Sequence, residues 1–174
     1  MKSTAAIGGH PIHPMLVPVP VGLFVWALVA NIVFLLSDND RTWYDISCWS
    51  SIAGIAGALV AGAFGALDGF TVARESDARG SAMAHMVLNV VVTGLFLSAV
   101  LLMWDGNAIE GSNGAMATAL QAVGVGLLAL SGWIGGEMVY RHHLGMIPDD
   151  REVAEDQERR RGRFEAGRPA TRPR

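Results

Sequence analysis

The sequence predicts an all-α integral membrane protein: a four-helix up-down-up-down bundle followed by a disordered, charged C-terminal tail. Three observations predict it. Apolar residues make up 51% of the 174 residues. They gather in four uncharged stretches, each long enough to cross a bilayer. The charged residues fall outside those stretches, and 15 of the 29 lie from Asp149 onward.

The stretches run from Met15 to Leu36, Ile46 to Leu67, Ser81 to Met103 and Ala115 to Gly136, the last helix continuing to Tyr140. They hold 22, 22, 23 and 22 residues. A helix rises about 1.5 Å per residue, so each spans a hydrocarbon core of roughly 30 Å. Barrel strands would be about 10 residues long and alternate in polarity, which these do not. The first stretch is a retained span and not a cleaved signal: it is long, begins after Pro14 and ends in Ser37-Asp38-Asn39-Asp40 without a small-residue cleavage pattern.

The connections Ser37 to Asp45, Asp68 to Gly80 and Trp104 to Gly114 are short, which makes neighbouring helices antiparallel. Glycine, serine and asparagine mark the third as turn chemistry. Residues 1–147 therefore form one transmembrane domain, and 148–174 a tail too poor in large apolar residues to bury a core.

Orientation follows from the cations flanking the spans. One face carries Lys2, Arg74, Arg79, Arg141 and the eight arginines of the tail; the other has Arg41 among five acids. Both termini are thus expected in the cytoplasm. Trp43, Tyr44, Trp49 and Trp104 form the expected outer aromatic belt, with Trp133 and Tyr140 on the inner side. The net charge of −3 identifies no partner beyond the lipid bilayer, and no nucleic acid is expected. The single Cys48 excludes an internal disulfide and a cysteine metal pair.

Small residues recur every fourth position in the second span, at Gly54, Ala58, Gly62 and Ala66, beside Ala53, Gly57, Ala61 and Gly65. The fourth has Gly124, Gly132 and Gly136, with Ser131 and Gly135 alongside. Two explanations stand: close helix packing, within the bundle or in a homodimer, or a slot cleared for a flat cofactor.

All five histidines, His10, His13, His85, His142 and His143, thread to the cytoplasmic face, and Asp68 and Glu137 end spans there. His10 and His13 each precede a proline, which favours polyproline geometry with both rings on one side. Pro14 then suits the first helical position. His85 lies inside a span, where an ionisable side chain is costly and turns towards protein. Asn89 follows one turn later on the same stripe, either as a plain polar contact or as a partner that orients a ligand. Glu137 and Arg141, four apart, either pair with each other or support the site.

The opening Gly9-His10-Pro11-Ile12-His13-Pro14, the segment Gly65 to Asp68, the buried His85 and the ending Gly135-Gly136-Glu137-Met138-Val139-Tyr140-Arg141-His142 resemble a widespread family of uncharacterised four-helix bacterial membrane domains. The resemblance covers roughly Gly8 to Met146. It departs at His143 and Met146, where the family pattern more often has glycine and valine. It implies a bacterial inner-membrane location, and the iron–sulfur or cytochrome-like modules fused to some relatives associate it with electron transfer.

Three functions follow. In the first, a b-type haem is bound by His13 and His85, with His142 and then His10 as further candidates, its propionates meeting Arg74, Arg79 or Arg141. In the second, a transition metal is held by His10, His13, His85, His142 and Asp68, for redox chemistry or metal handling and transport. In the third, the protein is a cofactor-free accessory or structural subunit of a larger membrane complex, its histidines a polar cluster. Asn89, Glu137 and Arg141 would support a site from behind. No nucleophile–base pair, phosphate loop or hydrolase motif is present.

Overall fold

The structure is a computed structural model that describes residues 5–8, 10–70, 78–104, 113–142, 158, 159 and 161. Residues 105–112 of the third connection, Arg74 in the second, His143, Met146 and all but three residues of the tail lie outside them.

Among the described residues the chain forms a two-stranded antiparallel hairpin, β1 (Ala6–Ile7) and β2 (His10–Pro11), then α1 (Ile12–Leu16), α2 (Pro18–Leu36), α3 (Arg41–Phe70), α4 (Ala78–Met103) and α5 (Asn113–His142). Four helical segments, Ile12–Leu36, Arg41–Phe70, Ala78–Met103 and Asn113–Arg141, are long and apolar enough to cross a membrane. The expected all-α bundle is the observed one. The helices run past the apolar stretches, so Arg41, Asp45 and Ala78 to Gly80 are helical too. Nothing about a charge ends a helix once it has left the hydrocarbon.

The start of the bundle differs from the extended reading. Gly8, at φ +57°, reverses the chain so that Ala6 and Ile7 pair with Pro11 and His10. The helix begins at Ile12, and Pro14 sits inside its first turn instead of opening it. There its missing N–H costs no helical bond. Pro18 lacks an N–H, but Val17 keeps helical dihedrals and its N–H donates to the His13 carbonyl at 3.1 Å, so α1 runs on into α2. His10 and His13 therefore part company, one on the strand and one on the helix. The turn between α2 and α3 uses Asp38 and Asn39 at positive φ, residues that tolerate that region, and Asp40 accepts from the Thr42 N–H at 2.8 Å.

The closest helix pairs are α2 with α3 and α4 with α5; α3 on α4 and α2 on α5 close the bundle. Its axis holds two apolar clusters. Phe24, Ala27, Val92 and Phe96 form the first, with the Phe24 and Phe96 rings stacked at 4.0 Å. Phe34, Tyr44, Cys48, Ala99, Val100, Met103 and Ala117 form the second. Tyr44 thus belongs to the core and not to the aromatic belt: its hydroxyl donates to the Met103 carbonyl, so its ring must point inward. Trp49, Trp104, Trp133 and Tyr140 stay exposed, as belt residues should. Beside the second cluster, Asn31 donates to Gln121 at 3.0 Å, and Gln121 donates to Ser47 and Ser51 at 3.1 and 3.2 Å. These polar side chains tie the two hairpins where no water would satisfy them.

Candidate functional site

His13 and His85 meet at the end of the bundle opposite that polar tie. Their ring centroids are 6.4 Å apart and their planes lie at 88°. His13 reaches the site from α1, and its Nδ1 lies 2.8 Å from the Ala61 carbonyl on α3. His85 comes from α4, and its Nδ1 lies 2.8 Å from the Ser131 carbonyl on α5. A carbonyl only accepts, so in both rings Nδ1 carries the proton and Nε2 keeps its lone pair. A backbone acceptor fixing the tautomer in this way is the usual preparation of an imidazole ligand.

Glycine makes both seats possible. A Cβ on Gly65 would lie 2.8 Å from His13 Cε1 and Nδ1, and one on Gly135 would lie 3.1 Å from His85 Cε1. Gly54 and Gly124 do the same for the phenylalanine stack, where a Cβ would meet Phe24 at 2.7 Å and Phe96 at 2.8 Å. Gly62 and Gly132 are different: nothing stands within 4 Å of their Cβ positions, and both line a cavity of about 830 Å³. His13, His85, Asn89 and Arg79 line it too, among apolar side chains of α2, α3 and α4. Close packing thus accounts for some of these glycines and not for others. Four receive aromatic rings, and two face open space.

The other sequence candidates scatter. His10 is exposed, its Nδ1 3.2 Å from the Gly8 carbonyl. Asp68 accepts from the Ala5 N–H at 3.2 Å and so fastens the N-terminal hairpin to α3. Glu137 and Arg141 pair with each other at 2.8 Å. His142 closes α5 at the histidine end of the bundle, and His143 lies outside the described residues. Among the described residues no group of three or more His, Cys, Asp or Glu side chains is placed to hold a metal ion. Asn89 does join His85: its amide nitrogen lies 2.8 Å from the His85 carbonyl, 2.7 Å from Ser131 Oγ and 3.2 Å from His85 Nε2. Ser131 Oγ in turn lies 3.0 Å from His85 Nδ1.

Residues 9–148 match the DUF2231 family of predicted membrane proteins. The chain belongs to that family. No curated protein and no solved structure matches it.

This DUF2231 chain also carries an internal repeat that the reading by spans passed over. His13, Gly22-Leu23-Phe24 and Ala27 recur 72 positions later as His85, Gly94-Leu95-Phe96 and Ala99. Gly54, Gly62 and Gly65 recur 70 positions later as Gly124, Gly132 and Gly135. The contacts repeat with the residues. Each histidine bonds a carbonyl of the second helix in its own hairpin, four residues before the glycine that seats it. Each phenylalanine lies on a glycine of that same helix. His13 touches His85 and Phe24 touches Phe96, so these equivalent residues face each other across an approximate two-fold axis along the bundle. Ser131 and the carbonyl of Ala61 are the site residues the sequence reading missed.

Proposed function

We propose that this membrane protein binds one b-type haem between His13 and His85 and serves as a one-electron carrier in a bacterial inner membrane, with both termini cytoplasmic. The supporting observation is the paired seat. The rings here are 6.4 Å apart, each with Nδ1 anchored. Haem needs only axial ligands from the protein, whereas a bare transition metal wants three or four, and two imidazoles suit the former. The cavity has the size and apolar lining of a cofactor site, and Arg79 on its wall suits a propionate. Bound there, haem would supply reversible one-electron exchange.

One observation favours the cofactor-free alternative: the Asn89 amide stands 3.2 Å from the nitrogen that iron would take. That amide has two hydrogens and three acceptors in reach, and the two oxygens are nearer. Nε2 receives the weakest share. Open glycines at Gly126 and Gly136 on α5 offer a face for a second copy or a larger redox complex. The experiment is an absorption spectrum of protein purified from a haem-replete host, with elemental analysis of bound metal. A Soret band supports haem; neither haem nor metal leaves the accessory-subunit reading.

A further inference from the structure

The internal repeat gives the two hairpins, α1 to α3 and α4 with α5, equivalent faces, and these faces meet. Equivalent residues touch as His13 with His85 and as Phe24 with Phe96. Two further equivalent pairs lie on the same axis. Asn31 Nδ2 stands 3.9 Å from Met103 Sδ, 72 positions on. Gln121 Nε2 donates at 3.2 Å to Ser51 Oγ, 70 positions before it. Like meets like in the first two pairs. In the last two, an amide meets a thioether and another amide meets a hydroxyl.

The histidine and phenylalanine pairs do not tell one hairpin from the other. A contact between equivalent faces across a two-fold axis is self-complementary. By those pairs alone, the N-terminal hairpin fits the same hairpin of a second copy as well as the C-terminal one of its own chain. The polar tie removes this ambiguity, because its parts are divided unequally. Asn31, Ser47 and Ser51 come from the N-terminal hairpin, where the C-terminal one has Met103, Ala117 and Gln121. Gln121 joins the three, accepting from Asn31 at 3.0 Å and donating to both serines. Two N-terminal hairpins would set Ser51 against Ser51, leave the volume of the glutamine empty and strip Asn31 of its acceptor. Two C-terminal hairpins would set Gln121 against Gln121 in space that holds one, and Met103 and Ala117 would give the amides no strong partner. Lipid supplies no water to make good either loss.

The tie is also not the most stable filling for this axis. Asn31 Oδ1 is buried with no hydrogen-bond partner among the described residues. The Phe24–Phe96 stack fills the same axis with apolar atoms. A buried polar group that lowers stability yet rejects the alternatives is the form that partner selection takes in helical assemblies.

We infer that Asn31, Ser47, Ser51 and Gln121 form a recognition code by which the N-terminal hairpin selects a C-terminal hairpin and rejects a second copy of itself. The partner this surface fits is a helical hairpin that presents one long amide to an asparagine and two serines. The code involves neither histidine nor haem, so it stands or falls separately from the haem reading.

The test exchanges the code between hairpins in the full chain. Asn31→Met, Ser47→Ala and Ser51→Gln together give both hairpins the C-terminal set. Met103→Asn, Ala117→Ser and Gln121→Ser together give both the N-terminal set. Each triple variant should melt several degrees below the wild type in one detergent. All six substitutions rebuild the tie on the other side of the axis and should restore most of that loss. The two triple variants, expressed together with different tags, should co-purify several-fold more than two tagged wild-type chains, since each supplies the set the other lacks. A sextuple variant no more stable than either triple would overturn the inference, because plain loss of packing predicts that the damage adds. So would triple variants that melt with the wild type, or that co-purify no better than wild-type chains.

Discussion

A single methyl group added at Gly65 should separate a glycine that seats an imidazole from one that merely faces the cavity. An alanine Cβ there would lie 2.8 Å from His13 Cε1 and Nδ1, against about 3.4 Å for ordinary contact, so the ring must retreat by about 0.6 Å. The Nδ1 to Ala61 carbonyl distance starts at 2.8 Å and would pass the limit of a good hydrogen bond. Losing that bond costs about 0.5–1.5 kcal/mol, and overpacking adds about 1–3 kcal/mol. Alanine in place of glycine in a helix returns about 1 kcal/mol. The balance is a destabilisation of about 1–3 kcal/mol, with haem affinity falling about 10–100-fold as the ligand loses its orienting partner. Gly135→Ala should be milder, because its Cβ meets His85 at 3.1 Å and a few tenths of an ångström suffice. Gly62→Ala meets nothing and should be neutral or stabilising. Thermal melting of the three variants in one detergent, with haem titration of each, gives the order. A Gly65→Ala protein as stable as Gly62→Ala would refute the reasoning.

Further outcomes follow from other parts of the molecule. Gln121→Leu strips Asn31, Ser47 and Ser51 of their shared partner and should destabilise the bundle by about 1–3 kcal/mol, read by melting; an unchanged transition would remove the clamp role. Reporter fusions at Asp40 and Asn113 should read periplasmic, and fusions after Arg79 and at the C-terminus cytoplasmic. The opposite pattern would place the histidine site on the outer face. Deleting residues 149–174 removes charge and almost no apolar area, so membrane accumulation and melting should hold. Loss of the truncated protein from the membrane would show that the tail docks.

The sequence made the four spans legible because their apolar runs are uninterrupted, and lipid leaves helix as the only solution for runs of that length. It did not place the helix ends, since Arg41 to Asp45 continue α3 beyond the apolar stretch. His85 and Asn89 were legible as a pair because four residues is one helical turn. Their partner Ser131 was not, because contacts between helices depend on rotation and depth that no local pattern encodes. Tyr44 misled for a related reason: composition sets it among belt aromatics, but the hydroxyl's reach to the Met103 carbonyl turns it inward. Gly8 misled at the N-terminus, where one residue at positive φ folded a segment back that its prolines suggested was extended. The repeat was present in the letters throughout. It escapes a reading by spans because the two helices of each hairpin recur at different offsets, 72 and 70, so no single period fits.

The central claim is that His13 and His85 together hold one haem, and the absorption spectrum of the purified full-length protein tests it most directly. Protein from a haem-replete host should show a Soret band that shifts on reduction, at about one haem per chain, and the band should be largely lost in His85→Ala. A wild-type protein with no Soret band, or a band that His85→Ala keeps undiminished, would contradict the account.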